Sequence, residues 1–361
     1  MTSIRSLQKR DLPEVAALFE LVMRSGSRTP PHQLADYFER LFDHPWADPD
    51  VPSLVYLDQT RRVVGFIGSH VRRLRFNGQR IRVGLSGQFM SHPDARNRAV
   101  GALLLRRYLA GPQDMSMTSA VGETTRIWKA LGGQAAMAGS IRWARVFNLP
   151  STAGYALERS GKGRWNFAAR PIFSAVQLVT DRLPATSLRV PEPTTRADDL
   201  TIEALLEHLP SVSAHLRIRP DYDAKFLSWL FHEMTEVRSR GDLVKRLILE
   251  ANGRVLGWYI AYLQTGGISQ VLQIAAKERD VEAVLDHLLY DAQCRGVALL
   301  FGQLEPLLFE PLTRRRCLLR PGGNFLVHSQ NPELLDAVLT GQVMISRMEG
   351  EGWMGHAEPL S

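Results

Sequence analysis

Residues 92–105, HPDARNRAVGALLL, set a proline-led turn, two arginines and one glycine ahead of an unbroken apolar run. A helix that starts this way is an anion site. Its first N–H groups have no partner within the helix, and the aligned peptide dipoles leave partial positive charge there. Gly101 admits a ligand to the backbone where a Cβ would interfere, and Ala99 keeps the adjacent position small. Arg96 and Arg98 would add charge-assisted donors; as turn residues alone they would be solvated. Spacing sorts the phosphate motifs. The P-loop signature GxxxxGK[ST] is absent. A dinucleotide GxGxxG follows the first strand of its fold, whereas this stretch follows several strand-like segments.

The elements that must hold this helix start are legible in the surrounding pattern. IRSLQKRDLPEVAALFELVMRS reads as a short strand and a helix, with Asp11 as N-cap and Pro13 in the first turn. PHQLADYFERLFDHPW reads as an amphipathic helix. SLVYLD, RVVGFIGSHVRRLRF and RIRVGLSGQFMS read as strands, the last two joined by a turn at NGQ. Helix AVGALLLRRYLAG, strand MSMTSAVG and helix ETTRIWKALGG follow, and strand-like AAMAGSIRWARVF closes this half. Residues 148–197 carry NLPSTAG, GKGRW and PEPTTRAD and form a connector with room for one helix. The second half repeats the order, and the phrase GRVLGW aligns Gly257 with Gly65 of RRVVGF. The expected division is therefore 1–147, a connector over 148–197, and a second domain over 198–361. Where the second half should have its anion loop it has LQIAAKERDVEAVLDHLL, with Lys277, Glu278, Arg279 and Asp280. That loop is not expected to hold a phosphate.

The run Ser91-His92-Pro93-Asp94-Ala95-Arg96-Asn97-Arg98-Ala99-Val100-Gly101 resembles motif A of the GNAT acyltransferase superfamily, V-x-P-x-x-R-x-x-G-x-G/A. Ile127-Trp128-Lys129-Ala130-Leu131-Gly132-Gly133 resembles the LYEKLGF phrase that ends the family's next helix, and the opening IRSLQKRDLPEV is similar to its first strand and helix. The resemblance covers residues 3–147. It implies a tandem of GNAT-like α/β domains, each a mixed central β-sheet flanked by helices, with motif A only in the first. It implies acetyl-CoA or another acyl-CoA as co-substrate, its pyrophosphate on the backbone of Arg96, Asn97, Arg98, Ala99, Val100, Gly101 and Ala102. Amides near Phe89, Met90 and Ser91 would polarise the thioester carbonyl. The acceptor would be an amine of a small molecule or sugar. Ala99 replaces the first motif glycine. Trp128 stands at the usual tyrosine position and would wall the acyl slot, since an indole cannot protonate a thiolate. Ser86 and Gln88 stand on the strand where the family often has a glutamate base. Glu123, just past strand MSMTSAVG, is the carboxylate expected to take the proton; its competing reading is a first-turn acid of the next helix. Two further classes fit the residues: an acyl-CoA-binding scaffold of weak activity, and an aminoacyl transferase of the Fem type, which is also a GNAT tandem.

Bulk properties bound the rest. The chain has 361 residues, 45% hydrophobic and 22% charged, with a formal charge of +7. That is ample length for two cores. Cys294 and Cys317 are the only cysteines, neither in a CxxC, so no metal site is expected and a reducing cytoplasm is the expected compartment. The charged N-terminus argues against a signal peptide, and no apolar run spans a bilayer, so no stable membrane insertion is expected. No helix-turn-helix, zinc finger or basic–aromatic interleaving points to nucleic acid. The run Arg314-Arg315-Arg316 reads as a solvated helix face or as a cradle for an anionic acceptor. Nothing in these residues fixes the oligomeric state.

Overall fold

Two strand-length runs joined by Asn77-Gly78 make a long hairpin: β3 (Val63–Phe76) and β4 (Gln79–Ser91), paired antiparallel from Phe76↔Gln79 to Gly65↔Ser91. Asn77 and Gly78 have φ of 49° and 88°, the left-handed pair that a two-residue type I′ turn requires. The computed structural model describes residues 3–24, 31–44, 46–94, 99–148, 151–152 and 189–354. Around the hairpin lie β1 (Ser3–Ser6), β2 (Leu54–Leu57), β5 (Met115–Ala120), β6 (Gln134–Ala136) and β15 (Asn324–His328), in the order β1-β2-β3-β4-β5-β15-β6.

Helices α1 (Leu12–Met23), α2 (Pro31–Phe42), α3 (Val100–Leu109) and α4 (Gly122–Ala130) belong to this unit. α3 lies close on β3 because Gly65 has no side chain: a Cβ there would stand 2.5 Å from Val100 Cγ1 and 2.8 Å from Leu104 Cδ1. The opposite face meets α2, where Phe42 packs against Phe66 and His70. Asp11 does not cap α1 with its side chain. Its carboxylate takes Arg5 at 2.6 and 2.7 Å and the Gln8 N–H at 2.8 Å, because a charged fork outcompetes a single backbone amide.

The second sheet holds β7 (Ile141–Val146), β8 (Arg196–Asp199), β10 (Asp242–Leu249), β11 (Val255–Leu263), β12 (Ile268–Ala276), β13 (Leu299–Gln303) and β14 (Leu318–Pro321). β9 (Ile218–Pro220) bridges Val343 outside this order. Helices α5 (Ile202–Val212), α6 (Ala224–Thr235), α7 (Val281–Cys294) and α8 (Phe309–Arg314) belong to this unit, and α9 (Pro332–Leu339) to the first. The second sheet runs β8-β10-β11-β12-β13-β7-β14. Position for position this repeats the first sheet, as the aligned glycines implied.

Each sheet takes its sixth strand from the other half of the sequence. β15 lies between β5 and β6, and β7 lies between β13 and β14. The compact units are accordingly Met1–Ala136 with Gly323–Thr340 and the stretch from Met354, and Met137–Gly322 with Gly341–Trp353. This differs from the contiguous division expected at 147 and 198. Local alternation forms both strands but carries no mark of which sheet receives them. Most of the connector lies outside the described residues, including the stretch with room for a helix; its last two residues, Arg196 and Ala197, open the edge strand β8.

Candidate functional site

β4 and β5 are parallel, and their ladder is short: Val83↔Met115, Gly84↔Ser116, Leu85↔Met117. β4 then runs on to Ser91 and β5 to Ala120, so the two strands part. At the floor of the opening Thr118 Oγ1 donates to the Ser86 carbonyl at 2.8 Å. The Ser86 hydroxyl is buried there with no hydrogen-bond partner among the described residues. A buried orphan hydroxyl is costly, and it stands where the strands open.

The other edge of β4 carries a bulge. Gly68 pairs Gly87 and Phe66 pairs Met90, so Ile67 faces both Gln88 and Phe89. Gln88 has φ of 44°, a strained value for a non-glycine residue. Its side chain is buried, with Oε1 3.2 Å from His70 Nε2 and Nε2 3.4 Å from Met354 Sδ. His70 in turn stacks on Phe42 at 5.1 Å. Past the bulge the His92 N–H donates to the Val64 carbonyl at 2.8 Å. Strand alternation therefore turns the Ser91 amide away from β3, toward the open edge.

α3 begins beside this opening. Its first bond runs from the Leu103 N–H to the Ala99 carbonyl at 3.0 Å, and no side chain caps it. The N–H groups of Val100, Gly101 and Ala102 are left without helical partners. Ala99 holds φ of 56°. Gly101 sits against the Phe89 ring, where a Cβ would be 3.1 Å from Phe89 Cζ. Met90 is buried, so its side chain offers no ligand surface. Ala95, Arg96, Asn97 and Arg98 lie outside the described residues.

Two expected roles are corrected, one by burial and one by exposure. Trp128 is fully buried in the core formed with Leu104, Ala120 and Leu326, so it has no face left to wall a slot. Tyr108 does not replace the missing tyrosine. Ser69 donates its hydroxyl to the Val51 carbonyl at 2.6 Å, which leaves Tyr108 to donate to Ser69 at 3.3 Å, and burial pushes the phenol up. Glu123 lies exposed in the first turn of α4, not in a dry cleft. Its charge there favours the helix dipole, worth about 0.3–1 kcal/mol. Glu123→Gln should therefore leave turnover within about threefold and lower stability by that small amount. A pH–rate comparison checks this. A hundredfold loss at neutral pH would reinstate the base role.

The same position in the second unit is closed by acid. Asp280, just ahead of α7, is buried and takes Arg254 Nη1 and Nη2 at 3.0 Å each. Glu282, in the first turn, takes Arg314 at 2.7 Å and Arg315 at 3.1 Å. A phosphate here would meet two carboxylates. These contacts also correct one reading of Arg314-Arg315-Arg316: Arg314 and Arg315 are spent on Glu282, Asp286 and Glu310 of their own unit. They do not form a free cradle.

Sequence reasoning missed His70, which carries the contact to Gln88. The only signal was a histidine between the apolar start of β3 and its arginines, and its partner lies across a bulge. Among the described residues no group of His, Cys, Asp or Glu could hold a metal, and no helix is long and apolar enough to cross a membrane.

No protein-family model and no curated protein matches this sequence. Solved structures do match. One is a conserved protein from Enterococcus faecalis V583 described as a probable N-acyltransferase: TM-score 0.59, 11% identity, covering 94% of this chain and 74% of that one. A GCN5-related N-acetyltransferase from Anabaena variabilis ATCC 29413 gives TM-score 0.59 at 10% identity over 92% and 74%. Saccharomyces cerevisiae N-myristoyltransferase with bound myristoyl-CoA gives TM-score 0.52 at 12% identity over 90% and 78%. At these identities the likeness speaks for the fold. With two sheets of one strand order, each opening at its parallel pair, this chain is similar to those proteins along nearly its whole length and has the GNAT fold.

Proposed function

We propose that this protein is an acyl-CoA-dependent N-acyltransferase working from its first unit. The observation that carries the reading is the opening between β4 and β5 beside the uncapped start of α3. Acetyl-CoA or another acyl-CoA would lay its pyrophosphate on the amides of residues 99–102, with Arg96 and Arg98 beside it. The pantetheine would enter between the parted strands. The amide on the open edge at Ser91 would meet the thioester carbonyl and stabilise the charge that develops as a primary amine of a small molecule or sugar attacks. Bulk water would take the ammonium proton, through a chain past Ser86 or Gln88, before the attack. The tetrahedral intermediate would then break its C–S bond, and CoA would leave as the thiolate. The nitrogen would give its remaining excess proton to the same water or to that thiolate. The names of the fold's solved members support this reading: two of those cited are called N-acyl- or N-acetyltransferases, and one was solved with myristoyl-CoA.

The second unit would bind no CoA at α7. Calorimetric titration with acetyl-CoA should therefore give one site per chain. A second site would mean that CoA also binds elsewhere on the chain, at α7 or at another cationic group, and none would end the proposal. Trp128, buried where a tyrosine acid is usual, favours a second reading: a CoA-thioester binder with weak turnover. Binding at one site without acyl transfer to any of a panel of amines would select it. Nothing among the described residues favours the Fem-type reading.

A further inference from the structure

Around Phe301 and Gly352 the second unit gathers three guanidinium groups. Arg142 on β7 stands opposite Gln303 and opposite Arg320 of β14, and its Nη1 donates to Gln303 Oε1 at 3.0 Å. Phe301 lies two residues before Gln303 on β13 and so shares its face. The Arg347 guanidinium sits over that ring, Cζ 5.6 Å from the centroid. Gly352 packs beneath the same side chain: a Cβ there would reach 3.0 Å from Arg347 Nε. The Gly352 carbonyl accepts from Arg240 Nη1.

The charges of Arg142 and Arg347 are not cancelled by an ion pair among the described residues. Arg347 Nε is buried with no hydrogen-bond partner among them. Of the nearby carboxyls, Glu349 is committed to Tyr222 and, at 2.7 Å each, to the N–H and hydroxyl of Ser346. Glu305 is pushed up to about 8 by burial and by the Glu349 charge, so it is mostly uncharged at neutral pH. Glu351 alone acts favourably on Arg347. Burial lowers Arg142 to about 10, and burial with Arg142 and Arg240 nearby lowers Arg347 well below a normal guanidinium. Arg142, Arg240 and Arg347 nevertheless keep some solvent contact, so a small ligand can reach them.

Desolvated like charges cost a fold stability unless a counter-ion joins them. Guanidinium forks match oxyanions in geometry and charge. We propose that Arg142, Arg240 and Arg347 form an anion-binding site, separate from the start of α3, for a small ligand bearing a phosphate or a carboxylate.

The test is calorimetric titration of the full chain with inorganic phosphate and, separately, malonate, at constant ionic strength set by chloride. The wild type should bind saturably. Binding should persist in Gly101→Glu, which blocks the start of α3, and in Arg314→Gln, which removes one charge elsewhere in the same unit. Arg142→Gln or Arg347→Gln should weaken it roughly tenfold to a hundredfold. Tighter phosphate than malonate would mark a phosphorylated ligand, and the reverse a carboxylate. Arg347→Lys, which keeps the charge and loses the fork, serves if the glutamine variants fail to melt cooperatively; it should weaken binding as well. The proposal is overturned if the wild type shows no saturable binding, if Arg314→Gln loses as much as Arg347→Gln, or if only Gly101→Glu loses it. The last outcome would leave the α3 reading of the proposed function intact.

Discussion

Residues 1–147 expressed alone should not fold into a cooperative unit. Their sheet lacks β15, which pairs with β5 from Asn324↔Ala120 to His328↔Ser116 and with β6 from Phe325↔Ala136 to Val327↔Gln134. Both ladders vanish with it. Leu326 and Val327 are fully buried, and Leu326 belongs to the core that holds α3. Their burial alone contributes about 1.5–3 kcal/mol each. Adding the lost ladder bonds removes a large share of a typical 5–15 kcal/mol. The fragment should show a broad melt and oligomers on gel filtration, as an unpaired inner edge would dictate. Joining Gly323–Thr340 behind Ala136 through a short flexible linker should restore a sharp transition. A sharp transition in the bare fragment, within a few degrees of the full chain, would mean that β15 is dispensable.

Gly101→Glu separates stability from binding. Gly101 is the second residue of α3, whose first turn has no acid. Replacing glycine there gains helix propensity of up to about 1 kcal/mol, and a carboxylate near a helix start adds about 0.3–1 kcal/mol. The contact with Phe89 offsets part of this, since the new Cβ would sit 3.1 Å from Cζ. The melting temperature should stay level or rise. Acetyl-CoA binding should fall at least a hundredfold, because the new carboxylate takes the place of a phosphate and repels it; losing charge-assisted contacts worth about 1.5–3 kcal/mol each is enough. Paired melting and titration curves check both halves. Unchanged affinity would move the CoA site away from α3.

Much of this architecture could be read in the sequence because its causes are local. The Asn77-Gly78 turn, the alternation of Ile81, Val83 and Leu85 along β4 and the apolar stripe of α3 each declare themselves within a dozen residues. So does the missing side chain at Gly65, whose partner phrase located Gly257. The start of α3 was legible for the same reason. What could not be read depends on distant sequence. Trp128 matches a family position, yet whether its ring faces a cleft or the core is decided by Leu326, almost two hundred residues on. The exposure of Glu123 follows from how α4 leaves β5. The pairing of Gln88 with His70 depends on a bulge that shifts register by one residue. The destinations of β7 and β15 are likewise set by which open edge is available, not by their own residues.

That last arrangement has a consequence for synthesis. A ribosome adds about 5–20 residues per second, so the first sheet waits roughly 10–40 s between the emergence of β5 and that of β15. Through that interval the nascent chain carries an incomplete sheet with an unsatisfied inner edge. The N-terminal half therefore cannot finish folding before the C-terminal half is made, although it comes first in the sequence. Codon changes that slow translation between residues 140 and 320 should lower the soluble yield of this protein, while leaving the purified product with the same melting temperature.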